Sequence, residues 1–179
     1  MPKKTNHYID NKEFYKQMVA WKKIVDAAEN SGDPRPPVTD YIGTCILNIA
    51  EHLSQKPNFA NYPYREEMVG DGIENCLMYA HNFNPRKSKN PFSYFTQIIY
   101  FAFLRRIEKE KKQAYVKLKA TEMMDDGTMH RWFRENYLEE GNKETENPLM
   151  DVFQLSETDM ERLSGTKKKK KKKKKTKKK

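Results

Sequence analysis

Apolar residues in the first two thirds of the chain recur at three- and four-residue intervals, the repeat of an amphipathic helix, and no useful stretch alternates as a strand would. Phe14, Met18, Trp21, Val25 and Ala28 define the face of a first helix. Asp10 is placed to cap it, with Glu13 completing a capping box, and the Gly- and Pro-rich residues 31–37 must end it. Ile42, Ile46, Ile49 and Leu53 predict a second helix from about Thr39 or Asp40, with Pro57 and Pro63 bracketing a loop behind it. A third is expected over residues 65–83, because Val69, Ile73, Cys76, Ala80 and Phe83 keep register despite Gly70 and Gly72. Each glycine costs about 1 kcal/mol relative to alanine. The pair marks either a close approach by another backbone or a tolerated weakness. After a turn over residues 84–89, Asn90 and Pro91 form an N-cap and first-turn pair that opens a fourth helix running to about Lys112.

Beyond Gln113 the repeat weakens, with one helix expected near residues 129–138 and a polar linker over 141–148. The expected architecture is all-α. Residues 1–115 form a compact helical domain, 116–148 a helical extension and linker, and 149–179 a flexible C-terminal tail. The polylysine end has too little apolar surface to fold.

Charge changes this picture less than its size suggests. The formal net charge is +10, but residues 167–179 hold 12 lysines; removing these from the 35 basic residues leaves 23 against 25 acidic ones. The basicity belongs to the tail, so any nucleic-acid contact by the body must come from local placement. Cys45 and Cys76 sit in apolar helical stretches and read as buried thiols of a reducing compartment. The longest apolar run, residues 98–104, is far too short to span a bilayer, so no membrane association is expected.

Three segments carry candidate chemistry. On the third helix Glu67, Asp71 and Glu74 form an acidic stripe with Met78 one turn further on, which is either a docking face for a basic partner or an ordinary solvated face. On the fourth, Phe92, Phe95, Ile99 and Ala102 mark one apolar face and Tyr94, Ile98 and Phe101 a second, followed by Arg105, Arg106, Lys109, Lys111 and Lys112. Aromatic surface running into a basic end suits single-stranded DNA beside phosphates, and equally a core helix with a solvated end. Near the C-terminus, LMDVFQL over residues 149–155 is a short apolar cluster behind a polar linker. The four histidines lack the paired spacing of a helical metal site, and there is no phosphate-cradling loop or nucleophile motif. Neither an enzyme, a metal nor a cofactor is expected.

Taken in order, EEMVGDGIENCLMYAHNF (66–83) and KNPFSYFTQIIYFAFLRRI (89–107) resemble region 2 of bacterial sigma factors. In that region a helix with a short Asp-Gly element leads through a turn into an aromatic-rich helix. With NKEFYKQMVAWK from Asn11, DYIGTCILNIAEHLS from Asp40 and NFANY from Asn58, the chain is similar to the T4-type bacteriophage late-transcription sigma factors, over residues 11–113.

The resemblance implies a non-enzymatic factor that brings host bacterial core RNA polymerase to late promoter DNA in the host bacterial cytoplasm. It implies that Glu67, Asp71, Glu74 and Met78 contact the polymerase. Phe92, Tyr94, Phe95, Ile98 and Ile99 would form the promoter-melting face, with Arg105 and Arg106 further along. Ile98 and Ile99 stand where primary sigma factors carry a tryptophan pair, leaving Phe95 as the stacking platform. Leu149, Val152, Phe153 and Leu155 would be a sliding-clamp anchor, which places the phage sliding clamp and a late co-activator among the expected partners. The competing expectation is a helical adaptor or inhibitor that binds polymerase without recognising a promoter.

Overall fold

The computed structural model describes residues 8–124, 127, 128, 131 and 153–165, and these are helical with no strand among them. The all-α expectation is met. Helix α1 spans Asn11–Ser31, α2 Asp40–Ser54, α3 Pro57–Ala60, α4 Arg65–Tyr79, α5 Pro91–Met124 and α6 Glu157–Leu163, with a 3₁₀ turn at Ala80–Asn82. Two compact units divide between Ile107 and Glu108, inside α5, so α5 contributes to both.

In the first unit most end signals act as expected, but the Glu13 side chain pairs with Gln17 and Lys16, so only the Asp10 half of the expected capping box forms. The Asp10 carboxylate accepts from the backbone N–H groups of Lys12 and Glu13, satisfying two donors that have no partner within α1. Gly32 closes α1 at φ 79°, a left-handed conformation that suits glycine. Thr39 caps α2, and the Asn90 side chain accepts from the N–H of Ser93 with Pro91 in the first turn of α5. Phe14, Met18, Trp21 and Val25 of α1 and Ile42, Ile46, Ile49 and Leu53 of α2 are all buried in one core. Trp21 also donates its indole N–H to the Pro37 carbonyl at 2.8 Å, pinning the α1–α2 connection.

Helix α5 runs through this core. Phe95 stacks on Phe14 of α1 at 5.6 Å between ring centroids, and Phe103 meets Phe59 of α3 edge-on at 5.2 Å. Against α4 the decisive residue is Gly72: a Cβ there would stand 3.1 Å from both Ile99 Cγ2 and Phe103 Cε1. The close approach at Gly72 is thus made by side chains of α5 and not by the backbone anticipated for the glycine pair, and at Gly70 nothing lies within 4 Å.

Several boundaries differ from the periodicity reading. Helix α4 stops at Tyr79 and tightens into the 3₁₀ turn before Phe83, and its buried face is Met68, Gly72 and Cys76, with Val69 and Ile73 half-buried beside it. A glycine at the centre of the buried face hides that face from a count of apolar residues. The segment between Pro57 and Pro63 contains α3, with Pro57 in its first turn. Helix α5 continues to Met124 instead of ending near Lys112, because no Gly or Pro interrupts it. The helix expected over residues 129–138 lies almost wholly outside the described residues, as do residues 141–152 and the lysine run.

The second unit is where the expected flexible tail needs correction. Residues 153–165 are folded: Leu155 is buried against Leu118, with Ala114, Tyr115, Phe153, Met160 and Leu163 packed around them. A reciprocal capping box joins Ser156 and Asp159 at the start of α6. The buried Asp159 carboxylate also takes the Lys111 ammonium at 2.6 Å. Burial alone would raise the Asp159 carboxyl, but hydrogen bonds from Lys111 and Ser156 outweigh it and hold the group below its usual range.

Candidate partner and nucleic-acid interface

Residues separated by four, three and four positions share a helix face, so α4 presents Glu67, Asp71, Glu74 and Met78 together. Glu67 and Glu74 are exposed, and Met78 is 55% exposed beside exposed Leu77 and Tyr79. Asp71 differs from its neighbours. Its two carboxylate oxygens accept from Arg106 Nε at 2.7 Å and Arg106 Nη2 at 2.8 Å, a bidentate pair that leaves Asp71 only partly exposed. One turn on, Arg105 donates to Asn75 Oδ1 at 2.8 Å, while Asn75 Nδ2 donates to the Asp71 carbonyl. The expected polymerase residue Asp71 and the expected DNA residue Arg106 are thus bound to each other.

The apolar faces of α5 separate clearly. Phe95 and Ile99 have no solvent exposure and belong to the core with Ala102 and Phe103. The expectation that Phe95 acts as a stacking platform is therefore corrected: its ring is already covered by Phe14 and Tyr94. Ile99 likewise faces Gly72, not solvent. Phe92, Tyr94 and Ile98 are half-buried, and Phe101 is 54% exposed. Tyr94, Ile98 and Phe101 line a groove of about 240 Å³ between α4 and α5, closed by Tyr79 and by the Asn75–Arg105 pair. The Tyr94 hydroxyl donates to the Tyr79 carbonyl at 2.9 Å. Burial pushes that phenol above its usual range, with the neighbouring Cys76 adding to the effect.

Phe101 is the residue the site expectation omitted. It lies seven positions after Tyr94 and three after Ile98, so the second apolar face pointed to it. The groove brings together an exposed ring, a half-buried phenol, an aliphatic wall and a guanidinium. Those groups suit a flat apolar surface with a polar edge, whether a nucleobase or a partner side chain.

Cys45 and Cys76 are both buried thiols. Burial drives Cys76 up to about 12, which keeps it protonated and unreactive at neutral pH. Among the described residues no group of His, Cys, Asp or Glu side chains could hold a metal ion, and no helix is long and apolar enough to cross a membrane. Of the expected clamp anchor, Leu149 and Val152 lie outside the described residues. Leu155 is buried and Phe153 half-buried in the second unit's own core, so these two are not presented as a free peptide. A short apolar cluster in a supposed tail looked available because the sequence could not display Leu118, the partner of Leu155.

No protein-family model matches the chain, and no curated protein matches it in sequence.

Proposed function

We propose that the protein is a sigma-like factor of the T4-type bacteriophage late class, which binds host bacterial core RNA polymerase and confers recognition of late promoter DNA within the host cytoplasm. The observation that carries this reading is the joining of two unlike surfaces across one helix pair. The exposed acid and methionine face of α4 lies beside the Tyr94, Ile98 and Phe101 groove, and the close approach at Gly72 holds α4 against α5. An acidic stripe complements a basic docking surface on the polymerase, giving partner choice and orientation. An aromatic groove with a guanidinium edge can hold an unstacked base. The resemblance of residues 66–107 to sigma region 2 supplies the polymerase and the promoter as the partners of these two surfaces. On this reading Tyr94 and Phe101 replace Phe95 as the base-facing rings, while Phe95 and Ile99 shape the helix from within. The folded state of Phe153 and Leu155 removes the clamp anchor from the proposal.

One observation favours a second reading, in which the protein is an adaptor or inhibitor that binds polymerase without touching promoter bases. Phe95 and Ile99 are interior, and Arg106 is engaged by Asp71, so three expected DNA contacts are satisfied within the fold. Run-off transcription with host core enzyme and a late promoter template separates the readings. A sigma factor yields transcripts with a defined start that core enzyme alone does not make. Binding to core without any defined start would sink the sigma reading and leave the adaptor.

A further inference from the structure

A second groove, of about 580 Å³, lies between α1 and the turn that leads from α4 to α5. Its cations are Lys22 and Lys23 of α1 and Arg86 of the turn, and its one lining carboxylate, Asp26, is already paired with Lys22 at 2.8 Å. Lys23 and Arg86 are exposed, and neither makes an ion pair among the described residues.

Neutral donors are fixed beside them. Arg35 Nη1 lies 3.1 Å from His81 Nδ1, and because a guanidinium can only donate, Nδ1 accepts and the ring proton sits on Nε2. Asn84 Oδ1 accepts from the N–H of Arg86 at 2.9 Å, which leaves its NH₂ group as a donor. The turn is held in place by the N–H groups of Lys87 and Ser88 on the Asn84 carbonyl, and by the Tyr15 hydroxyl on the Pro85 carbonyl. The apolar lining holds no fully exposed side chain: Phe83 is buried, and Val19 and Pro85 are half-buried. Two cations among His and Asn donors, with no exposed apolar anchor, fit phosphate oxygens better than a peptide, which needs an apolar anchor for its side chains.

The two grooves share a wall. Phe83 lines this basic groove, Tyr94 lines the apolar groove of α4 and α5, and their rings meet edge-on at 5.3 Å. We infer that the basic groove binds the phosphate backbone of a single DNA strand whose adjoining bases occupy the Tyr94–Phe101 groove. This deepens the proposed promoter reading by giving the strand a path and a polarity of contacts, with phosphates at Lys23 and Arg86 and bases at Tyr94 and Phe101.

The test uses the full chain, with residue-resolved NMR reporting on the groove separately from the lysine run. A ten-nucleotide deoxyoligomer is titrated in, and its affinity is followed against salt. The expected result is a saturable shift of the Asn82 and Asn84 side-chain amides and of the His81 ring. The Lys23→Gln/Arg86→Gln double variant, whose sites are exposed and whose fold is checked by circular dichroism, is expected to lower the slope of log K against log salt by about 1.4, two phosphate contacts at about 0.7 each. Shifts confined to residues outside the groove, or an unchanged slope, would overturn the inference. So would equal shifts with a polyglutamate peptide of matched charge, which would make the groove a peptide site. The wild-type run-off result is read independently. A defined start with a silent groove defeats this inference alone, and a responsive groove without a defined start defeats the sigma reading alone.

Discussion

Substituting alanine at Gly70 and at Gly72 separates backbone cost from packing within one helix, two residues apart. Alanine stabilises a helix interior by about 1 kcal/mol relative to glycine. At Gly70 nothing lies within 4 Å of the added methyl, so that gain is expected in full. At Gly72 the methyl would stand 3.1 Å from Ile99 Cγ2 and from Phe103 Cε1, and 3.6 Å from Ile99 Cγ1. Relief requires both neighbours to retreat by a few tenths of an ångström. Neither can do so cheaply, because both are wholly buried and Ile99 is β-branched, with one strongly preferred χ1 in a helix. Overpacking of this kind costs about 1–3 kcal/mol, and here the upper part of that range applies. After subtracting the helical gain, G72A is expected to lose about 1–2 kcal/mol and G70A to gain about 1 kcal/mol, opposite signs on the same helix. Urea denaturation followed by circular dichroism measures both, with equal slopes confirming that the unfolding reaction is unchanged. Equal stabilisation by the two variants would refute the claim that Gly72 sets the distance between α4 and α5.

Three further outcomes are expected. Glu67→Lys with Glu74→Lys, both exposed, is expected to weaken capture of core polymerase at least tenfold while leaving the melting temperature unchanged; Asp71→Lys, which breaks the pair to Arg106, is expected to lower stability as well. Unchanged capture by the double variant would take this face out of the interface. Phe101→Ala, at an exposed ring, is expected to impair transcription from duplex but not from a pre-melted template, whereas Phe95→Ala is expected to cost about 3–5 kcal/mol of stability by opening a core cavity; a stable F95A protein with a selective opening defect would return the stacking role to Phe95. In the second unit, the Asp159 carboxyl is lowered in the folded state, so its contribution is present above the ordinary aspartate range and is lost progressively as pH falls from that range through the lower folded value. The hydrogen-exchange protection factors of α6, corrected for the intrinsic pH dependence of exchange, are therefore expected to begin to fall below about pH 4, and to be lower at neutral pH in Asp159→Asn, while those of α1 and α2 are unaffected.

The helix faces of α1 and α2 were fully legible because each is a run of large apolar residues at helical spacing, closed by cap residues with local effects. Helix α4 was legible in position but not in orientation, since Gly72 occupies the middle of its buried face and Met68 begins it. The turn before α5 was readable from Asn90 and Pro91. What sequence could not separate was which of the two apolar faces of α5 looks inward. Both faces contain aromatics at the same spacing, and the choice is made by Phe14, Phe59 and Gly72, residues far away along the chain. The same limit hid the partner of Asp71 on α5 and the partner of Leu155 at Leu118. Each of these contacts joins positions more than thirty residues apart, beyond the reach of any local pattern.

The Asp71–Arg106 and Asn75–Arg105 bridges bear on how the two candidate surfaces could communicate. Both run from α4 to α5, and Asn75 ties them together through the Asp71 carbonyl. A partner that competes for the Asp71 carboxylate would break its bidentate pair with Arg106, and one that draws off Asn75 would break the Arg105 hydrogen bond at the edge of the aromatic groove. Breaking these bridges when the acidic face is engaged would reposition both guanidinium groups, so docking and strand capture are expected to be coupled. The size of that coupling is measurable as the non-additivity of Asp71→Asn and Arg106→Gln in single-strand affinity, with and without core polymerase. A coupling of about 1–3 kcal/mol that disappears in the presence of polymerase is the expected result. Strict additivity in both states would show that the bridges hold the helices together and do nothing more.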